Sequence, residues 1–187
     1  MTAATEWVED HFIAGDVILD FANTVYRRWP QPGPDLLTNT ESLSTWLERA
    51  GLLTRSNGGP PVVGDDTLEE GRTLRGTLWQ VFDAQRERRP IPRDAFAAVL
   101  DVARRHGMRV TVDAGGDRTA SDAEGAISTL ALGAISLVLD PPPQGIRACD
   151  ACGWFFIDSS RGRRRRWCSM KTCGNQAKVD RYRSARL

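Results

Sequence analysis

Residues 147–175 read RACDACGWFFIDSSRGRRRRWCSMKTCGN and hold all 4 cysteines of the 187-residue chain. Cys149-x2-Cys152, fifteen residues, then Cys168-x4-Cys173 is the spacing of a four-thiolate zinc site, because a pair two residues apart bites a metal from one tight turn. Four sulfur ligands leave no open position for water, so the expected metal is structural. Gly153 and Gly174 follow the second cysteine of each pair, where a positive φ would fold the backbone away from the sulfurs. Two disulfides or a redox Cys-x-x-Cys are the competing readings. The first pair has no βαβ pattern around it and nothing indicates export, which favours zinc; a thiol switch that releases the metal stays as an alternative.

Between the pairs, Trp154–Asp158 is strand-like, Ser159–Gly162 is turn-like, and Arg163–Trp167 is expected to return as a second strand. No breaker interrupts Asn175–Arg186, which suits a helix. Knuckle, hairpin, then a cysteine pair at a helix start is the order of a small treble-clef-like or ribbon-like zinc module.

Charge divides the chain at the same place. Residues 1–143 hold 14 arginines and no lysine against 21 acidic residues, whereas residues 144–187 hold 11 basic and 3 acidic ones, although the net charge is only +1. Pro141, Pro142 and Pro143 form a stiff seam. The expected division is therefore a domain over 1–143 and a module over 144–187. With 41% hydrophobic residues the first part can build a core.

That first part reads as mainly helical. Ile18, Phe21, Ala22 and Val25 share a face and predict a helix over about Asp16–Arg28, with Asp16 as N-cap. Thr38-x-x-Glu41 reads as a capping box before Leu43, Trp46 and Leu47, with Gly51 as the stop. After the loop Asn57–Pro61, Leu68, Leu74, Leu78, Val81 and Phe82 line a longer helix that ends near Arg89. Pro92 opens a fourth helix, closed by Gly107, with His106 as a capping residue. Met108, Val110 and Val112 alternate ahead of Ala114–Asp117 and predict a short β-hairpin. An apolar helix over about Asp122–Leu139 follows. Its fourteen-residue run Ala126–Leu139 is too short to cross a bilayer core of about 30 Å, so a buried core helix is expected. Acidic residues near the N-terminus argue against a secretory signal and for the cytoplasm.

Arg147-x-Cys149, Gly153-Trp154-x-Phe156-x-Asp158-x-Ser160, Arg165-Arg166-Trp167-Cys168-Ser169 and Cys173-Gly174-Asn175 resemble the tail of the bacterial CGNR zinc-finger proteins. In that family the tail follows a mostly helical ABATE domain, whose signature Leu19-Asp20-Phe21-Ala22-Asn23-Thr24-Val25 resembles. The match is dense over Arg147–Arg186 and thin elsewhere apart from that heptad. The resemblance implies a stress-related transcription regulator, with a finger that binds DNA and a domain that senses a small molecule. The family's fourth signature letter is arginine, and here that position is Gln176. Glutamine suits adenine where arginine suits guanine.

A helix from Asn175 places Asn175, Lys178, Val179, Tyr182 and Arg186 on one stripe, beside Gln176 and Arg183. Duplex DNA is the expected partner. Arg161, Arg163, Arg164, Arg165, Arg166, Lys171 and Lys178 are the candidates for phosphates, and Asn175, Gln176 and Arg183 for base edges. A solvated basic face is the bland alternative, and Arg165 and Arg166, next to Trp167, are expected to pack inside the module instead. One finger buries little surface, so a homodimer is expected. Asp20, Asn23 and Thr24, with Arg27 or Arg28 beside them, are the ligand-pocket candidates implied by the resemblance. The residues alone favour the plainer reading that Asn23 and Thr24 satisfy neighbouring backbone. No nucleophile motif or phosphate loop points to an enzyme. Trp154, Phe155 and Phe156 stacking on unpaired RNA bases, or arginines meeting an acidic protein as an adaptor, are the rival functions.

Overall fold

A computed structural model describes residues 3–53 and 62–184. The loop expected at Asn57–Pro61 lies outside them, as does Arg186. Packing groups the chain into two units: Met1–Trp7 with Leu36–Pro141, and Val8–Asp35 with Pro142–Leu187. This differs from the order of charge along the chain, because an N-terminal segment shares a unit with the cysteine-rich tail.

The first unit is helical. Helix α2 (Thr40–Arg49), α3 (Asp65–Arg86), α4 (Arg93–Arg105) and α5 (Ala123–Leu139) form it, with a hairpin of β1 (Val110–Val112) and β2 (Arg118–Ala120), Val110 opposite Ala120. α3, α4 and α5 pack on one another, and the hairpin lies on α5. Leu68, Leu74, Leu78, Val81 and Phe82 of α3 are all buried, as their spacing predicts. α5 is apolar nearly all round and is buried at Ala123 and from Gly125 through Ala131, with small residues that admit close neighbours. The hydroxyl of Ser128 donates to the carbonyl of Val102 on α4 at 2.8 Å, so this buried polar group is satisfied. Asp122 caps α5, accepting the amide of Gly125. Among the described residues no helix is long and apolar enough to cross a membrane.

Helix α2 starts one residue later than its capping box suggests. Asn39 is the N-cap: its Oδ1 accepts the amide of Ser42 at 2.8 Å, while the Thr38 hydroxyl turns away to the carbonyl of Ala3. Gly51 ends the helix with φ +72°, as expected.

The second unit comprises α1 (Val17–Ala22), β3 (Ile146–Ala148), β4 (Phe155–Ile157) and α6 (Asn175–Ser184), with one π-helical turn at Met170–Gly174. Asp16 caps α1, but the helix stops at Ala22, well short of Arg28. It stops because Asn23 spends its side chain on β4, after which the backbone turns. Val25 bridges Asp35, and the amide of Tyr26 donates to Pro34. The strand partner also differs from expectation. β4 pairs antiparallel with β3, Arg147 opposite Phe156, whereas Arg163–Trp167 forms no strand.

The cap can be tested directly. Asn39→Ala should lower stability by about 1 kcal/mol in urea unfolding, and Asn39→Asp should keep it, since aspartate accepts the same amide. Equal losses for the two would refute the capping role.

Candidate metal centre and basic surface

The four cysteines converge. Their sulfurs all lie within 4.8 Å of one another, with Cys152 Sγ 3.6 Å from Cys168 Sγ and Cys168 Sγ 3.8 Å from Cys173 Sγ. Tetrahedral bonds of 2.3 Å place sulfurs about 3.8 Å apart, so the set fits a four-coordinate metal, and all four cysteines are free. Without a cation the thiols titrate against each other. A hydrogen bond from Cys152 holds Cys149 toward the thiolate, and the hydrogen bond with Cys149 pushes Cys168 up. A cation would let all four ionise together.

Local geometry explains each pair. Cys149-x2-Cys152 is a knuckle in which Gly153 donates to Cys149 and Cys149 to Trp154. Gly153 has φ +76°, as expected, and a Cβ there would lie 2.9 Å from Trp29 Cβ. Gly174 has no positive φ, contrary to expectation; a Cβ there would lie 2.8 Å from Met170 Sδ, the end of a half-exposed flexible side chain that would have to move aside. The wider Cys168-x4-Cys173 spacing is closed by the π turn, whose amide of Gly174 donates to Ser169 across five residues.

Asp158 organises the loop between the pairs. It is fully buried: Oδ1 accepts the amide and hydroxyl of Ser160, Oδ2 accepts the amide of Arg165 at 2.8 Å, and Arg147 Nη1 lies 3.6 Å from Oδ2. Burial raises its pKa, but the bonds from Ser160 and Arg165 and the Arg147 charge outweigh it and hold the carboxyl below the ordinary carboxylate value. The loop is thereby pinned at both ends.

The basic side chains fall into two groups. Arg165 lies over Phe156 at 4.9 Å and its guanidinium donates to the carbonyl of Cys168. Arg166 pairs with Asp150 at 2.7 Å and lies over Trp167 at 5.4 Å. Both make contacts within the module, as their position beside Trp167 predicts, although Arg166 is itself exposed and its pair with Asp150 lies at the surface. By contrast Arg161, Arg163 and Arg164 are exposed and make no side-chain hydrogen bond or ion pair among the described residues. Lys171, Lys178 and Arg183 are equally exposed and unpaired there. No described residue of α6 is buried. Asn175 donates to the carbonyl of Lys171 and Gln176 to Asp180 at 2.9 Å, an i,i+4 pair worth only about 0.2–0.5 kcal/mol to break. The RNA-stacking candidates are covered: Phe155 and Phe156 are 0% exposed and Trp154 8%.

Asp20, Asn23 and Thr24 are buried with their polar atoms engaged. Asn23 Nδ2 donates to the carbonyl of Phe155 at 2.9 Å, and its Oδ1 accepts the amide of Phe155 at 2.8 Å. Removing that amide would strand two buried peptide groups, at about 1–3 kcal/mol each. Thr24 donates to Phe21, and Asp20 accepts the amide of Ala14 at 2.9 Å. From sequence Arg28 is only a lesser candidate for the ligand pocket. Its Nη1 donates to the carbonyl of Gly153, its guanidinium lies 3.8 Å over Phe155, and its amide donates to Cys152. The double-arginine run Arg27-Arg28 carries no signal for this role. In the first unit His106 sits between Glu70 at 3.3 Å and Glu124 at 3.7 Å, ending α4.

Residues 15–141 match the ABATE family model, described as "Putative stress-induced transcription regulator", and residues 146–186 match the CGNR zinc finger. No curated protein matches the chain significantly.

Asp20 yields a pH prediction. Burial, helped by the charge of Asp16 and opposed by the Ala14 amide, raises its pKa from 3.8 to about 7. The folded state thus favours the protonated acid. This contribution is complete below pH 3.8 and is lost as pH rises through about 7. Asp20→Asn keeps the acceptor without the ionisation, so the melting temperature of the unsubstituted chain should fall relative to the variant between these values. Parallel curves across that window would refute it.

Proposed function

The chain belongs to the ABATE–CGNR family, and from that premise we propose that it is a DNA-binding transcription regulator whose four cysteines hold structural zinc. The observation that carries the reading is the loop 159–164. Its two ends are tied to the buried carboxylate of Asp158, and it presents the unpaired guanidiniums of Arg161, Arg163 and Arg164. A fixed base limits the conformational entropy lost when such a loop meets phosphates. α6 starts immediately after Cys173 and adds Lys178, Arg183, Asn175 and Gln176 on an uncovered helix, suited to a groove. In this assignment the loop arginines and lysines contact phosphate, while the amides and Arg183 meet base edges. Arg165 and Arg166 instead make contacts within the module, Arg165 to Cys168 and Arg166 to Asp150.

Zinc suits the donor set: four sulfurs at tetrahedral separation, with no site left for substrate. When bound it supplies charge for four thiolates and holds the knuckle and the π turn together. Elemental analysis should find one zinc per chain. The ABATE-matched region, residues 15–141, is then the sensor, and a small molecule bound there should change DNA affinity, with reciprocal change in its own affinity. Two copies are expected on a specific site.

Binding to random-sequence duplex DNA across a salt series tests the electrostatic part. Replacing Arg161, Arg163 and Arg164 together by alanine should weaken binding and flatten the slope of log affinity against log salt by about 2–3, at roughly 0.9 per phosphate lost. An unchanged slope in the zinc-loaded triple variant would sink the assignment. Tighter binding to single-stranded RNA than to duplex would favour the RNA alternative.

A further inference from the structure

β4 has two edges and one strand partner. β3 covers one edge. On the other, Phe155 exchanges both peptide hydrogen bonds with the side-chain amide of Asn23, and the amide of Ile157 donates to the carbonyl of Ala14 at 2.8 Å. Residues 155 and 157 alternate with Phe156 as the period of a strand requires. Asn23 thus stands in for a strand residue, and Ala14 is itself held by Asp20.

The same segment grips the knuckle. The amides of Arg28 and Trp29 both donate to the carbonyl of Cys152, at 2.7 and 3.1 Å. Arg28 Nη1 reaches the carbonyl of Gly153, and the indole nitrogen of Trp154 donates to the carbonyl of Val25 at 2.8 Å. The peptides of Cys152, Gly153 and Phe155 and the indole of Trp154 therefore all have partners between Asn23 and Trp29, while the carbonyl of Trp154 accepts the amide of Cys149 within the knuckle.

We infer that Val8–Asp35 is an integral part of the metal module, with Asn23 and Arg28 as positioning residues that set metal affinity by fixing the knuckle and β4. The heptad Leu19–Val25 then serves the metal centre. The inference rests on the metal reading alone and is independent of DNA binding. Partners of this kind orient ligands, and removing them typically weakens metal binding 10–100-fold.

Two measurements on the full chain test it. In amide hydrogen exchange with and without a zinc chelator, removal of the metal should speed exchange at least tenfold in peptides covering 13–29 as well as in those covering 146–174. Faster exchange over 146–174 with 13–29 unchanged would overturn the inference and leave the metal reading intact; no change in either segment would end both. In chelator competition, Asn23→Ala should bind zinc 10–100-fold more weakly, and Asn23→Asp, which keeps the acceptor and loses the donor, should fall between. Arg28→Lys should also weaken binding while leaving Asn23 in place. Affinities within twofold of the unsubstituted protein for all three would overturn it.

Discussion

A three-residue strand cannot satisfy its own backbone, and in the cysteine-bearing unit that constraint governs the rest. β4 carries buried Phe155 and Phe156 directly after the first cysteine pair, so its peptide groups have no water to turn to. β3 supplies one edge, Asn23 and Ala14 the other. Once β4 is fixed, Asp158 at its end is fixed too, and Asp158 anchors the arginine loop. The chain from a buried amide to an exposed guanidinium is short and made of hydrogen bonds that each have a named partner.

The elements that read correctly from sequence are those whose signals are local. Asp122 and Gly51 mark helix ends by their own chemistry, and the apolar rows of α3 and α5 need only periodicity. The cysteine spacing is equally local and locates the metal set. What did not read are choices decided by distant partners. α1 has helical spacing through Val25, but Asn23 finds Phe155 across 132 residues and ends the helix. Arg163–Trp167 has no advantage as a strand over Ile146–Ala148, which precedes the knuckle and lies antiparallel to β4. Gly174 shows that a glycine after a cysteine need not take a positive φ.

Arginine was the most ambiguous residue type. The tail concentrates basic residues, yet Arg147, Arg165 and Arg166 are used internally, on Asp158, Phe156, Asp150 and Trp167. Their neighbours in sequence hint at this, since each lies within two residues of an aromatic or a cysteine. Arg161, Arg163 and Arg164 flank Gly162 and Ser160 with nothing nearby to pack on, and they remain outside. Net charge therefore overstates the charge available to a partner, and the loop and α6 are where the excess resides.

The two family matches follow covalent order, whereas packing does not. The ABATE match begins at residue 15, and its residues 15–35 lie in the unit with the finger. A finger cut at residue 144 would keep all four cysteines and the full basic loop but leave Phe155 and Ile157 without their second-edge partners. Four sulfurs would still attract a metal, because thiolate chemistry is local. The knuckle, however, would have lost the bonds from Arg28 and Trp29 to Cys152, and the strand end carrying Asp158 would lie on a half-paired sheet. The packed unit that carries the cysteines is therefore discontinuous in sequence, and its boundary follows backbone hydrogen bonds and not cysteine spacing.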